Sequence, residues 1–212
     1  VAKFPERLVA FCSFNPLADY ALAEIEYCAA HKGFVGVKFS FSMSGVDLSN
    51  PEHIEKVRQV FQAANRHKLP IVVHVRDGFW YGSKQATAFL NRIVTAAPDV
   101  PVQVAHLWGG ERFSASALKY YADAVSAGLP ATKNLYFDVA EVAFVAGGSA
   151  EDMTIVARSI RQIGLARILY GSDAALNGRL QPKESWALFR AKVPLTDSEF
   201  QSISRSIAPY LR

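Results

Sequence analysis

No apolar run in this chain approaches the roughly 18 residues that a membrane-spanning helix needs. No secretory leader pattern is visible. Cysteine is nearly missing: Cys12 and Cys28 are too few for a disulfide framework and lack the spacing of a metal site. They are expected to pack as small apolar side chains in a protein of a reducing, cytoplasmic compartment. The formal charge is only +4, and no Lys/Arg run is present, so nucleic acid is not an expected partner. A Gly-x-Gly-x-x-Gly turn and a phosphate-loop Gly-Lys-Ser/Thr are both absent, which argues against an open dinucleotide-binding or nucleotide-binding sheet. Histidine is scarce as well, with five in the chain, so where each one falls carries information.

What is present is a soluble composition, with 50% hydrophobic and 20% charged residues over 212 positions, read as one domain over 1–212 with a sizeable core. Short apolar runs alternate with helical patterns along the whole length. Strands are expected at Arg7–Ser13, Phe34–Phe39, Ile71–Val75, Pro101–Leu107, Asn134–Val139 and Ile168–Tyr170. Helices are expected at Leu17–His31, from Asn50-Pro51-Glu52 onward, at Lys84–Ala96, Ser116–Ser126, Ala150–Ile163, Pro182–Ala191 and Asp197–Ala208. Ile54, Val57, Phe61 and Ala64 form the buried stripe of the second helix, and Asn50-Pro51 its start. No hairpin signal interrupts the alternation, and each crossover is long enough for a right-handed βαβ unit. The fold class is therefore parallel α/β, and the missing glycine-rich turn favours a barrel.

Polar residues interrupt or follow these strands at their carboxyl ends: Lys38, His74, His106, Asp138 and Asp173. In a parallel barrel those ends share one mouth. A lone histidine in an apolar strand is usually a satisfied core residue. Two, with an aspartate at an equivalent place, match the imidazole and carboxylate donors of a divalent ion. Asp173 taken alone reads equally well as a turn cap.

The runs Gly-Phe-Val-Gly-Val-Lys-Phe (33–39), Pro-Ile-Val-Val-His (70–74), Val-Gln-Val-Ala-His-Leu-Trp-Gly-Gly (102–110), Asn-Leu-Tyr-Phe-Asp-Val (134–139) and Arg-Ile-Leu-Tyr-Gly-Ser-Asp (167–173) together resemble the amidohydrolase superfamily. The nearest branch is the amidohydrolase 2 family of metal-dependent barrel hydrolases and decarboxylases. The resemblance implies a (β/α)8 TIM-type barrel, of which this chain carries about six of the eight units, corresponding to the third through eighth strands. It implies a metal ligand at His74, a ligand or acid/base at His106, and a ligand and water-activating base at Asp173. The ion it implies is divalent, with zinc first.

Lys38 corresponds to a strand that in some superfamily members carries a carbamylated lysine. An ion pair with Asp138 is the favoured reading here, and Lys38 also stands among the substrate-binding candidates. Asp138 is read as an orienter of a ligand histidine or as a structural acid. Arg76 and Trp80 after the third strand, and Trp108 after the fourth, are the other substrate-binding candidates, with Tyr81 and Arg112 beside them. They suit a planar carboxylate, or they cover the barrel top. His31, His53 and His67 are expected on solvated helix faces.

The family's first strand carries His-x-His, and this sequence has none. The chain opens on Val1, and an upstream segment is expected to be missing. Bare strand edges would make a homo-oligomer plausible. Three functions are carried forward: a metal-dependent hydrolase of a small organic molecule, a decarboxylase of an aromatic or unsaturated acid, and a degenerate barrel without catalysis.

Overall fold

A computed structural model describes residues 3–4, 6–76, 81–110, 112–145, 149–174 and 181–211. Six strands form one sheet in the order of the chain: β1 (Ala10–Ser13), β2 (Phe34–Ser40), β3 (Ile71–His74), β4 (Val102–Val104), β5 (Leu135–Asp138) and β6 (Ile168–Leu169). Every neighbouring pair is parallel. The crossovers carry α1 (Ala21–Ala30), α2 (Pro51–Arg66), α3 (Ser83–Ala88), α4 (Ala115–Ser126) and, between β5 and β6, α5 (Val142–Val145) and α6 (Ala150–Ile163). After β6 come α7 (Pro182–Lys192) and α8 (Asp197–Arg205).

Strand alternation divides the sheet into two faces. Val37, Phe39, Ile71, Val73, Val102, Val104, Leu135, Phe137 and Ile168 point to the helix side, and each is at most 1% exposed. They meet the apolar stripes of the helices, such as Ile54, Val57, Phe61 and Ala64 of α2 and Val156 and Ile160 of α6. The register places Lys38, Val72, Gln103 and Tyr136 in one row on the opposite, barrel-inner face, with Asp138 beside Leu169 further along it. Gly36 lies on this inner face opposite Phe11. A Cβ there would stand 2.4 Å from the Pro70 carbonyl oxygen and 2.8 Å from the Phe11 ring, so the close approach of chain and ring requires glycine.

The helix starts follow their local chemistry. Asn50 accepts from the Glu52 amide at 2.9 Å, with Pro51 in the first turn. Ser149 does the same for α6 and Ser114 for α4. The stretch expected as one helix over Lys84–Ala96 is instead three kinds of turn: α3, a π turn at Phe89–Ile93 and a 3-10 turn at Val94–Ala96. Across the π turn Phe89, Leu90 and Ile93 are all fully buried against the core.

The cysteines correct the sequence reading. Cys12 at the end of β1 and Cys28 on α1 are joined as a disulfide, with Cα atoms 5.9 Å apart. The helix folds back over the outer face of its own preceding strand, which brings positions 16 apart together. With both thiols bonded, they no longer argue for a reducing compartment. Among the described residues no helix is long and apolar enough to cross a membrane.

One ion pair carries a pH prediction. Arg161 of α6 grips Glu199 of α8 with two bonds, at 2.6 and 2.9 Å, and also donates to the Pro194 carbonyl at 2.9 Å. The Arg161 hydrogen bond, then the Thr196 amide of the capping box, hold the Glu199 carboxyl down at about 2, below its ordinary 4.5. A lowered folded-state value means that the stabilisation is complete above the unfolded value and is lost as pH falls from about 4.5 toward 2. The urea midpoint is expected to drop across that window, and Arg161→Ala to flatten the drop. An equally steep acid limb in the variant would refute the assignment.

Candidate metal centre

The carboxyl ends of β4, β5 and β6 do not simply run on into loops. His106, Leu107, Glu141 and Asp173 have φ of 54°, 61°, 55° and 52°, and among the described residues the remaining non-glycine residue of this kind is Lys68, just past α2. Left-handed backbone at non-glycine residues costs about 1–3 kcal/mol each and persists where the surroundings over-determine it. Four such residues at neighbouring strand ends mark the place where the fold holds side chains in unusual directions.

Asp138 supplies much of that hold. It is 5% exposed at the end of β5. Its Oδ2 accepts from Gln103 Nε2 at 2.7 Å, and its Oδ1 accepts from the backbone amides of His106 and Ala140, both at 3.1 Å. This is why β4 ends three residues before the expected Leu107. The last bond of the parallel ladder is Ala105 N–H to the Val73 carbonyl, after which the His106 amide turns to the carboxylate. Asp138 therefore orients a histidine through its backbone rather than through its ring. The expected pair with Lys38 is not formed. Lys38 is exposed on β2, and among the described residues no ion pair joins the two.

His106 is 5% exposed, and its Nδ1 lies 2.9 Å from the Ala140 carbonyl oxygen. A carbonyl only accepts, so Nδ1 carries the hydrogen in the neutral ring and Nε2 keeps its lone pair. A ligand atom of His106, one of Glu141 and one of Asp173 all lie within 4.8 Å of one another. Glu141 is 7% exposed, whereas Asp173 is open to solvent. His74 stands next to this group, its ring edge-to-face with His106 at 5.2 Å, but outside the convergent set.

The donor set fits a divalent ion. It offers one imidazole nitrogen and two carboxylate oxygens, the ligand types of catalytic zinc and manganese. Atoms bound to one ion at about 2.0–2.2 Å lie about 3–4 Å apart, so the separations here need only a small inward movement. Anchoring of the other imidazole nitrogen on a carbonyl is the usual support for a ligand histidine.

Sequence reasoning missed Glu141. Its signal resembled that of Asp173: an acid just past the end of an apolar strand, here three residues beyond Asp138. The residues nominated for substrate fall in different places. Arg76 is 9% exposed and lies flat on Gly110, where a Cβ would meet its Cβ at 2.5 Å. Trp108 is fully buried edge-to-face against Phe113 at 5.0 Å, the position of a side chain that covers the core. The Tyr81 hydroxyl lies 2.6 Å from that of buried Tyr121, whose own ionisation is pushed upward by burial. Arg112 is exposed. Trp80 lies outside the described residues. The helical histidines have local partners: His31 with the Tyr27 carbonyl, His53 with the Asp47 amide and His67 with Glu26.

The amidohydrolase family model matches residues 1–205 of this chain. Comparison with curated proteins found no match. Among solved structures, 2,6-dihydroxybenzoate decarboxylase in complex with 2,6-dihydroxybenzoate superposes with a TM-score of 0.62 at 17% identity, over 96% of this chain and 70% of that one. An amidohydrolase from Burkholderia multivorans with bound zinc gives 0.57 at 14% identity, over 92% and 69%. A dihydroxybenzoic acid decarboxylase from Polaromonas sp. JS666, with manganese and the inhibitor 2-nitroresorcinol, gives 0.55 at 16%, over 96% and 68%. At these identities the structural likeness is one of fold, a TIM-type barrel of which the described residues supply six consecutive parallel strands. The family match over nearly the whole sequence, joined to that strand order, shows that the chain belongs to the amidohydrolase family.

Proposed function

We propose that this chain acts as a metal-dependent hydrolase on a small organic substrate, with His106, Glu141 and Asp173 holding the ion. The convergence of these three side chains at the strand ends is the observation that carries the reading. Zinc is the first choice for one imidazole and two carboxylates. Such an ion, when bound, polarises a substrate oxygen and acidifies water. Asp173, the exposed member, takes a proton from an incoming water in this reading, which its exposure supports. His106, with Nδ1 tied to Ala140, keeps the Nε2 lone pair for a ligand role. Lys38 is exposed on the inner face and is suited to hold a substrate carboxylate.

A second reading is decarboxylation of an aromatic acid. It is supported by the decarboxylases that share the fold, together with the exposed cation of Lys38. Product analysis separates the two. Carbon dioxide release from 2,6-dihydroxybenzoate or a related acid would favour the lyase, and turnover of an ester, lactone or amide without it would favour the hydrolase.

The metal assignment has its own test. Elemental mass spectrometry of the purified chain is expected to find about one divalent ion per chain, the stoichiometry of a single catalytic site. Glu141→Gln and His106→Ala are each expected to lower occupancy by an order of magnitude at limiting metal. Equal metal content in all three proteins would refute this ligand set.

A further inference from the structure

A continuous line of hydrogen bonds joins the C-terminal end of the chain to the candidate metal centre. The Tyr210 hydroxyl, on the 3-10 turn Pro209–Leu211 after α8, donates to Gln103 Oε1. Gln103 Nε2 donates to Asp138 Oδ2 at 2.7 Å, and Asp138 Oδ1 receives the amides of His106 and Ala140 at 3.1 Å. The Ala140 carbonyl in turn receives the His106 ring at 2.9 Å. We propose that Tyr210 is a positioning residue for this centre: by fixing which way the Gln103 amide faces, it keeps Asp138 clamped on the two backbone segments that aim His106 and Glu141. The inference deepens the functional reading above and rests on its assignment of His106 and Glu141 to the site.

Donors and acceptors must match along this line. An aspartate carboxylate accepts on both oxygens, so the nitrogen end of Gln103 must face it. The oxygen end then faces the other way and needs a donor. Gln103 is 8% exposed, so water is a poor substitute. Tyr210 supplies that donor from 107 residues away, its ring braced edge-to-face on Phe11 at 5.2 Å. Burial, and then the Asp138 charge, push the Tyr210 hydroxyl up to about 12, so it remains a donor throughout the neutral range. Without it the buried Gln103 oxygen lacks a partner, and the amide is free to rotate away from Asp138. The register supports the route, because Gln103 lies on the inner row of the sheet, the side on which Asp138 stands and away from the helices.

Tyr210→Phe removes the hydroxyl and keeps the ring on Phe11. Two measurements on the full chain test the proposal. In the metal-free protein, amide hydrogen exchange at His106 and Ala140 is expected to quicken about tenfold in the variant, while the β3 amides keep wild-type rates. Cobalt(II) titration followed by visible absorption is expected to show affinity weakened about tenfold, the scale of changes behind a ligand. Gln103→Leu should reproduce both effects, and adding Tyr210→Phe to it should change nothing further. Unchanged exchange at His106 and Ala140, or the same acceleration across β3, would overturn the proposal, since a purely structural contact gives one or the other. Selective acceleration in a protein whose wild type takes up no cobalt would leave the positioning role standing and sink the metal reading instead.

Discussion

Asp138→Ala is expected to cost about 3–5 kcal/mol of folding stability and to abolish metal uptake. The carboxylate is buried and serves three donors: the Gln103 amide and the backbone N–H groups of His106 and Ala140. Alanine leaves all three without an acceptor in a place water scarcely reaches, and each buried unsatisfied donor costs about 1–3 kcal/mol. The left-handed turns at His106, Leu107 and Glu141 then lose the group that holds them. Because those turns aim the candidate ligands, stability and metal affinity should fall together. Asp138→Asn is an informative partner. Its single carbonyl oxygen can serve either Gln103 or the backbone amides, and its NH2 would oppose the donors left over. It should therefore be destabilised as well, though less than alanine. Urea denaturation with metal analysis measures both quantities, and a loss below about 1 kcal/mol for the alanine variant would show that Asp138 is not the clamp described here.

Asp173→Asn is expected to reduce turnover by about a thousandfold with little change in stability, the range for removal of a catalytic proton acceptor. The choice of asparagine matters. Asp173 sits at φ 52°, a left-handed conformation that asparagine tolerates better than most residues, so the backbone need not move. The side chain is isosteric but lacks the negative charge that binds an ion and the basicity that accepts a proton from water. Asp173 is also exposed, so its replacement strands no buried group. The comparison with wild type uses whichever substrate the hydrolase and aromatic-acid panels identify, with circular dichroism to confirm the fold. Turnover at the wild-type level would remove Asp173 from the mechanism.

Where sequence and structure agree, the pattern is local. Continuous apolar runs such as Ile71–Val73 became strands covered on both faces. Helical spacing predicted the buried side of α2, and Asn50-Pro51 its start. The strict alternation of strand and helix pointed to the parallel barrel class. His106 and Asp173, which converge with Glu141, could be nominated because a polar residue at the end of an apolar strand is visible without knowing what it faces.

Other features depend on which strands lie side by side and how their ends turn. Trp108 and Arg76 looked like mouth residues, yet one is core and the other lies flat on Gly110. Lys38 and Asp138 suggested an ion pair, but Asp138 is filled by Gln103 and two backbone amides. Cys12 and Cys28 meet only after α1 folds back over β1. Glu141 joins the site only because left-handed backbone at non-glycine residues turns it inward, and such turns leave no glycine in the sequence to announce them. Tyr210 reaches Gln103 across 107 positions. Periodicity and spacing report short-range order, which is why the amino-acid sequence alone decided the elements and their class. Which polar group satisfies which is settled by register, burial and the scarcity of water inside, and those exist only once the chain has folded.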